Sequence, residues 1–138
     1  MDKALNYLAL ARKGGMAELG EEPVGAITRG GKGYLVLVAS DASDHTWRRA
    51  KSFVAGTDQQ CVRTPYTKDE MGFAIGRSSL AIAAITDPAL ALALVKALPE
   101  QEKHKAAVEA LEQKANRMAQ RRKEAKAHQR NVRMGKKK

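Results

Sequence analysis

The side chains able to do chemistry are few in this chain, and they are scattered. Cys61 is the only cysteine. It cannot form an internal disulfide, and a reducing cytoplasm is the expected location. His45, His104 and His128 form no H-x-H pair. They are expected to be solvated polar residues, and with one cysteine they do not make a metal-ligand set. Asp41 and Asp44 follow an apolar run, where an α/β protein can place a working carboxylate. Ser43 lies between them, which favours helix capping over catalysis. Gly30-Gly31-Lys32-Gly33 is glycine-rich but precedes an apolar run. A loop that cradles phosphate follows a strand and opens a helix, so these glycines are expected to stop a helix and turn the chain. There is no G-x-S-x-G and no P-loop sequence. The expectation is a protein that is not an enzyme and needs no cofactor.

What the chain does offer is positive charge, unevenly placed. The formal net charge of 138 residues is +10. Residues 1–100 carry 12 Lys/Arg against 11 Asp/Glu, and residues 101–138 carry 13 against 4. A nearly neutral domain with a cationic tail suggests a polyanion partner, and nucleic acid is the leading candidate because phosphate contacts release counterions. Arg117, Arg121, Arg122, Lys123, Lys126, Arg130, Arg133 and Lys136 to Lys138 form the cationic series. No aromatic residue interrupts it, so it offers phosphate contacts rather than base stacking. The plainer alternative is a solvated tail that aids solubility.

The elements that would position these residues follow from periodicity. Leu5, Leu8 and Ala9 recur at helical spacing up to Gly14-Gly15. Met16 to Leu19 could form a short strand. Glu21 to Arg29 is expected to be a helix stopped by Gly30. Tyr34 to Ala39 and Leu80 to Ile85 are continuous apolar runs of strand length, suited to strands covered on both faces. Between them come a helix capped by Ser43 or Asp44, with Trp47, Ala50 and Val54 facing inward, and a strand over Gln60 to Thr64. Thr67 and Glu70 then fit a capping box for a helix ending near Gly76. Asp87-Pro88 gives an N-cap with proline at the first helical position. The alternation predicts a three-layer αβα sandwich with a mixed, roughly four-stranded sheet.

Pro99 is expected to close the domain, giving residues 1–99 as the domain and 100–138 as a tail. From Glu100 to Met134 there is no Gly or Pro, and the composition favours a long basic helical extension. Val108, Leu111, Ala115 and Met118 make one narrow apolar stripe. It could dock on the domain or form a short coiled coil. The later half has too few apolar residues for a core and is expected to be partly disordered without a partner. No run of 18 apolar residues and no secretory signal is visible, so no membrane partner is expected.

The order of residues resembles the ribosomal L-seven-Ae/L-thirty-e family, in particular its bacterial YlxQ-like branch. The resemblance rests on Leu8-Ala9-Leu10-Ala11-Arg12-Lys13-Gly14-Gly15, Gly20, and Tyr34 to Ser43. It continues through Thr64-Pro65-Tyr66-Thr67-Lys68-Asp69-Glu70-Met71-Gly72, Gly76 and Ile85-Thr86-Asp87. It covers residues 4–98 and leaves out the tail. It implies an αβα sandwich that binds RNA, often at kink-turns. In such proteins a G-x-N-E-x-x-K pattern at the start of the second helix reads tandem sheared G·A pairs. A loop before the last strand contacts flipped nucleotides. Here the first site falls on Gly20, Glu21, Glu22 and on to Ala26, and the second on Arg77, Ser78, Ser79 and Leu80.

The first site departs from the pattern. Gly20 is kept, but Glu22 stands for the Asn, Pro23 for the Glu and Ala26 for the Lys. Helix N-termini attract phosphate, yet here two carboxylates occupy that place and Pro23 removes a donor. Weak or absent kink-turn binding is expected. The leading expectation is a monomeric, cytoplasmic, non-catalytic protein that binds ribosomal or other structured RNA, with the ribosome as a possible partner. Its rival is a protein-interaction adaptor of the same fold that has lost RNA recognition.

Overall fold

A computed structural model describes residues 2–135, with side chains described up to Gln129. The chain forms α1 (Lys3–Lys13), β1 (Ala17–Leu19), α2 (Glu21–Arg29), β2 (Leu35–Val38) and α3 (Asp44–Val54). It continues with β3 (Gln60–Arg63), α4 (Lys68–Ala74), β4 (Ile82–Ile85), α5 (Pro88–Lys96), a 3-10 turn (Gln101–His104) and α6 (Lys105–Gly135). Each expected element is present, and local chemistry explains the boundaries. Thr67 Oγ1 accepts from the Glu70 N–H at 3.1 Å while Glu70 Oε1 accepts from the Thr67 N–H at 3.0 Å, a complete capping box. Asp87 caps α5 through the Leu90 N–H, and Pro88 sits at its start. Ser43 caps α3.

The sheet order is β1-β4-β2-β3. β2 and β3 run parallel, and both other pairs are antiparallel. The sheet is therefore mixed, with one parallel connection, made through α3. Both apolar runs are fully buried over their strands, Leu35 to Val38 and Ile82 to Ile85. α2 and α3 pack together on the sheet, while α1, α4, α5 and α6 pack as a second group. The result is the three-layer αβα arrangement.

α3 buries less of its inner face than expected. Ala50 is fully buried, but Trp47 and Val54 are only half-buried. Trp47 instead supports cations, with Lys51 and Arg63 both over its ring.

Past Pro99 the chain turns back onto the domain. Glu100 takes a left-handed backbone (φ 55°), and the Gln101 amide donates to the carbonyls of Val95 and Leu98, satisfying the end of α5. His104, Ala107 and Leu111 then become buried, and α6 packs on α5 and β3. The apolar stripe is thus an intramolecular contact. From Ala119 to Gln129 every side chain is exposed.

Candidate nucleic-acid interface

The strand register gives the sandwich two distinct ends. Leu19, Val38, Arg63 and Ile82 share one end. There Gly20 begins α2 with φ 96° and ψ 163°, a left-handed region that a side chain would strain. Its N–H donates to the Ile82 carbonyl at 3.0 Å. That bond brings the loop after β1 beside the loop before β4, so the two sites implied by the resemblance are neighbours. Arg77, Ser78 and Ser79 are exposed. The Arg77 N–H donates to the Gly72 carbonyl at 2.8 Å and the Leu80 N–H to the Lys68 carbonyl at 3.0 Å. A Cβ at Gly72 would lie 2.6 Å from the Ser79 nitrogen, so only glycine lets this loop lie against α4. Leu80 is 4% exposed and belongs to the core. Its side chain positions the loop and is not on the surface that a nucleotide could reach.

Carboxylates dominate the helix starts at this end. α2 opens with Glu21 and Glu22, α3 with Asp44, and α4 with Asp69 and Glu70. The Asp41 carboxylate caps a helix as expected, but the helix is α4 and not α3. It accepts from the Lys68 N–H at 2.8 Å and so caps α4 across the loop. Glu21 Oε1 is buried and pairs with Arg49 Nε at 2.6 Å. Glu21, Glu22, Pro23, Ala26, Arg29 and Arg49 line an open cleft beside α2. The positive helix terminus is already matched by the chain's own carboxylates, which leaves little attraction for phosphate.

At the opposite end the helix termini carry cations. The last turns of α1, α2 and α3 carry Arg12 and Lys13, Arg29, and Lys51. Gly30 ends α2 and Gly31 turns the chain with φ 74°. The glycine loop is thus a stop and turn. Gln59, 4% exposed, holds it: its Oε1 accepts from the Gly33 N–H at 2.8 Å and its Nε2 donates to the Thr28 carbonyl at 3.1 Å. Next to it, Lys114 Nζ donates to Asp58 Oδ2 at 2.7 Å and lies over the Tyr34 ring. The Lys114 contact, with Arg117 nearby, holds the Asp58 carboxyl below its usual range. α6 starts beside Thr64 and Pro65, runs along β3, and leaves the domain at this end.

Arg117, Arg121, Arg122, Lys123 and Lys126 are all exposed on α6. The side chains of Arg130 and Arg133, and Lys136 to Lys138 altogether, lie outside what the structure describes. Three residues that sequence reasoning misses organise this region, Asp58, Gln59 and Lys114, and a fourth, His104, is misplaced at the other end, where α6 starts. His104, expected to be solvated, is 8% exposed, and burial lowers its pKa. The signal is present in part, since His104, Ala107 and Leu111 lie on one helical stripe.

Little else suggests reaction chemistry. Burial pushes the Cys61 thiol up to about 12, so it is protonated at neutral pH and a poor nucleophile. Among the described residues no three His, Cys, Asp or Glu side chains group as metal ligands, and no helix is long and apolar enough to cross a membrane. An open apolar hollow of about 640 Å³ lies between α1 and α4, lined by Leu5, Tyr66 and Phe73 and rimmed by Asp2, Asp69 and Glu70. Phe73 is 76% exposed there.

No family model matches the chain, and no curated protein does. Solved structures share its fold. A Bacillus halodurans protein of unknown function aligns with a TM-score of 0.68 at 24% identity, over 72% of this chain and all of that one. A Giardia lamblia 15.5 kDa RNA-binding protein aligns with a TM-score of 0.59 at 20% identity, over 79% of this chain and 87% of that one. At these identities the likeness concerns fold alone.

Proposed function

We propose that this protein binds structured RNA without catalysis, that it is ribosome-associated, and that its affinity resides in α6. The observation that carries the proposal is the unbroken exposure of Arg117, Arg121, Arg122, Lys123 and Lys126 on a helix that leaves a nearly neutral domain. A helix presenting cations without aromatics suits the phosphates of a folded RNA. The RNA-binding fold relative and the family resemblance lend support. Sequence-selective kink-turn reading is not part of the proposal, because Glu22, Pro23 and Ala26 replace the pattern that performs it.

A salt titration of the full chain against a chain ending at Asn116, on one structured RNA, tests this. Removing the exposed part of α6 should lower affinity and flatten log affinity against log salt, by about 0.7–0.9 units for each phosphate no longer neutralised. Equal affinities and slopes would refute the assignment.

The second reading is a protein-interaction adaptor. The exposed Phe73 over an acid-rimmed, open apolar hollow favours it. Such a contact would weaken little with salt.

A further inference from the structure

We infer that the domain itself meets RNA at the end from which α6 emerges, through the loop around Lys32 and the last turn of α1 with Lys13 at the same end, and not at the end that carries Gly20 and Arg77. This rests on the RNA-binding reading and locates its surface on the domain.

The first support is adjacency. Gln59 holds the glycine loop through Gly33 and Thr28, and its chain neighbour Asp58 holds Lys114 of α6. Lys32 is exposed on that loop. The anchored lysine therefore fixes the emerging helix beside Lys32, and Arg117 begins the exposed cationic stretch one turn further on.

The second support is direction. α6 starts near Thr64, at the Gly20 end, and passes Asp58 before it leaves. At a rise of about 1.5 Å per residue, Arg121 lies roughly 24 Å along the axis from the start of the helix at Lys105. An RNA held by Arg121, Arg122 and Lys126 touches the Lys32 end first. It must span most of the sandwich before it can meet Arg77.

Charge is the third support. The first turns at the Gly20 end carry Glu21, Glu22, Asp44, Asp69 and Glu70, while the last turns at the other end carry Arg12, Lys13, Arg29 and Lys51. Helix dipoles account for this arrangement as a matter of stability. At the helix termini the two ends differ in sign, although Arg63, Lys68 and Arg77 at the Gly20 end and Asp87 at the other reduce the contrast. Asp58, at the emerging end, is occupied by Lys114.

Two matched variants of the full chain separate the ends: Lys13→Gln with Lys32→Gln, and Arg77→Gln with Lys68→Gln. Each pair removes two positive charges, so long-range attraction falls equally and a difference reports contact. The probe is one structured RNA hairpin, titrated with salt. The first pair should weaken binding roughly tenfold and lower the salt slope by one to two units, at about 0.7–0.9 for each phosphate released. The second should stay within about twofold of the unmodified chain with the slope unchanged. Lys13, Lys32 and Arg77 are exposed and Lys68 is half-buried, and thermal unfolding of each variant checks that the fold is intact. Equal weakening by both pairs, or greater weakening by the Arg77 pair, overturns this placement while leaving RNA binding in place. No salt-dependent binding by the unmodified chain overturns the functional reading and this placement together.

Discussion

Cutting the chain at two places distinguishes a tail from a structural helix. Composition puts the boundary at Pro99, but Ala107 and Leu111 are 7% and 2% exposed and join the main core. A chain ending at Asn116 keeps this packing and the Lys114–Asp58 pair, whereas a chain ending at Pro99 has neither. Burying one leucine contributes about 1.5–3 kcal/mol, and Ala107, Val108 and His104 add smaller amounts. Stripping α6 also uncovers apolar surface on α5. The loss should be on the order of 3–5 kcal/mol, a large part of the roughly 5–15 kcal/mol that holds a domain of this size together. At about 4–8 °C per kcal/mol, the shorter chain should melt at least about 12 °C below the longer one. The single change Leu111→Ala in the full chain should cost about 2–5 kcal/mol, with the cavity included. Urea and thermal unfolding followed by far-ultraviolet circular dichroism measure both. If the chain ending at Pro99 unfolds at the same midpoint as the chain ending at Asn116, the docked part of α6 contributes nothing and the burial argument fails.

The other predictions concern recognition and pH. Replacing Glu22→Asn, Pro23→Glu and Ala26→Lys together should create kink-turn binding, at about 1–3 kcal/mol per restored polar pair; tight binding by the unmodified chain in a gel-shift assay would show the site was never lost. His104 should make stability pH-dependent. Burial lowers its folded pKa below the ordinary 6.5, so the unfolded chain takes up the proton first. Stability is full above that value and falls as pH drops through it, levelling off below the folded pKa. His104→Gln should remove this part of the slope, and a pH series of unfolding midpoints with and without the substitution checks it.

Most of the architecture is legible in the sequence because its signals are local. Thr67 with Glu70, Asp87 with Pro88, and the run from Leu35 to Val38 each declare an element within a few residues. The strand ends are blurred only where apolar residues continue past the ladder, as at Tyr34 and Leu80. What is not legible depends on distant partners. Nothing near Lys114 in the sequence announces Asp58, which lies 56 positions away. His104 looks like a solvated side chain until α5 turns out to leave a face that α6 covers. The family pattern places Leu80 in a contact loop. Its burial shows that the residue anchors the loop from below, while Arg77 to Ser79 form the loop's surface.

The position of α6 against β3 also bears on self-association. β3 is an edge strand, and unpaired edge groups are templates for another chain's strand. The other edge, β1, is only three residues long and carries Glu18, a combination that discourages pairing. β3 has four residues and the apolar Cys61 and Val62. α6 packs against this strand and is pinned by Lys114 just before the strand's beginning. A helix held against the edge strand in this way is expected to hinder a second chain's strand from reaching it. A chain shortened into the first turns of α6 would lose solubility through an uncovered strand, whatever charge it kept.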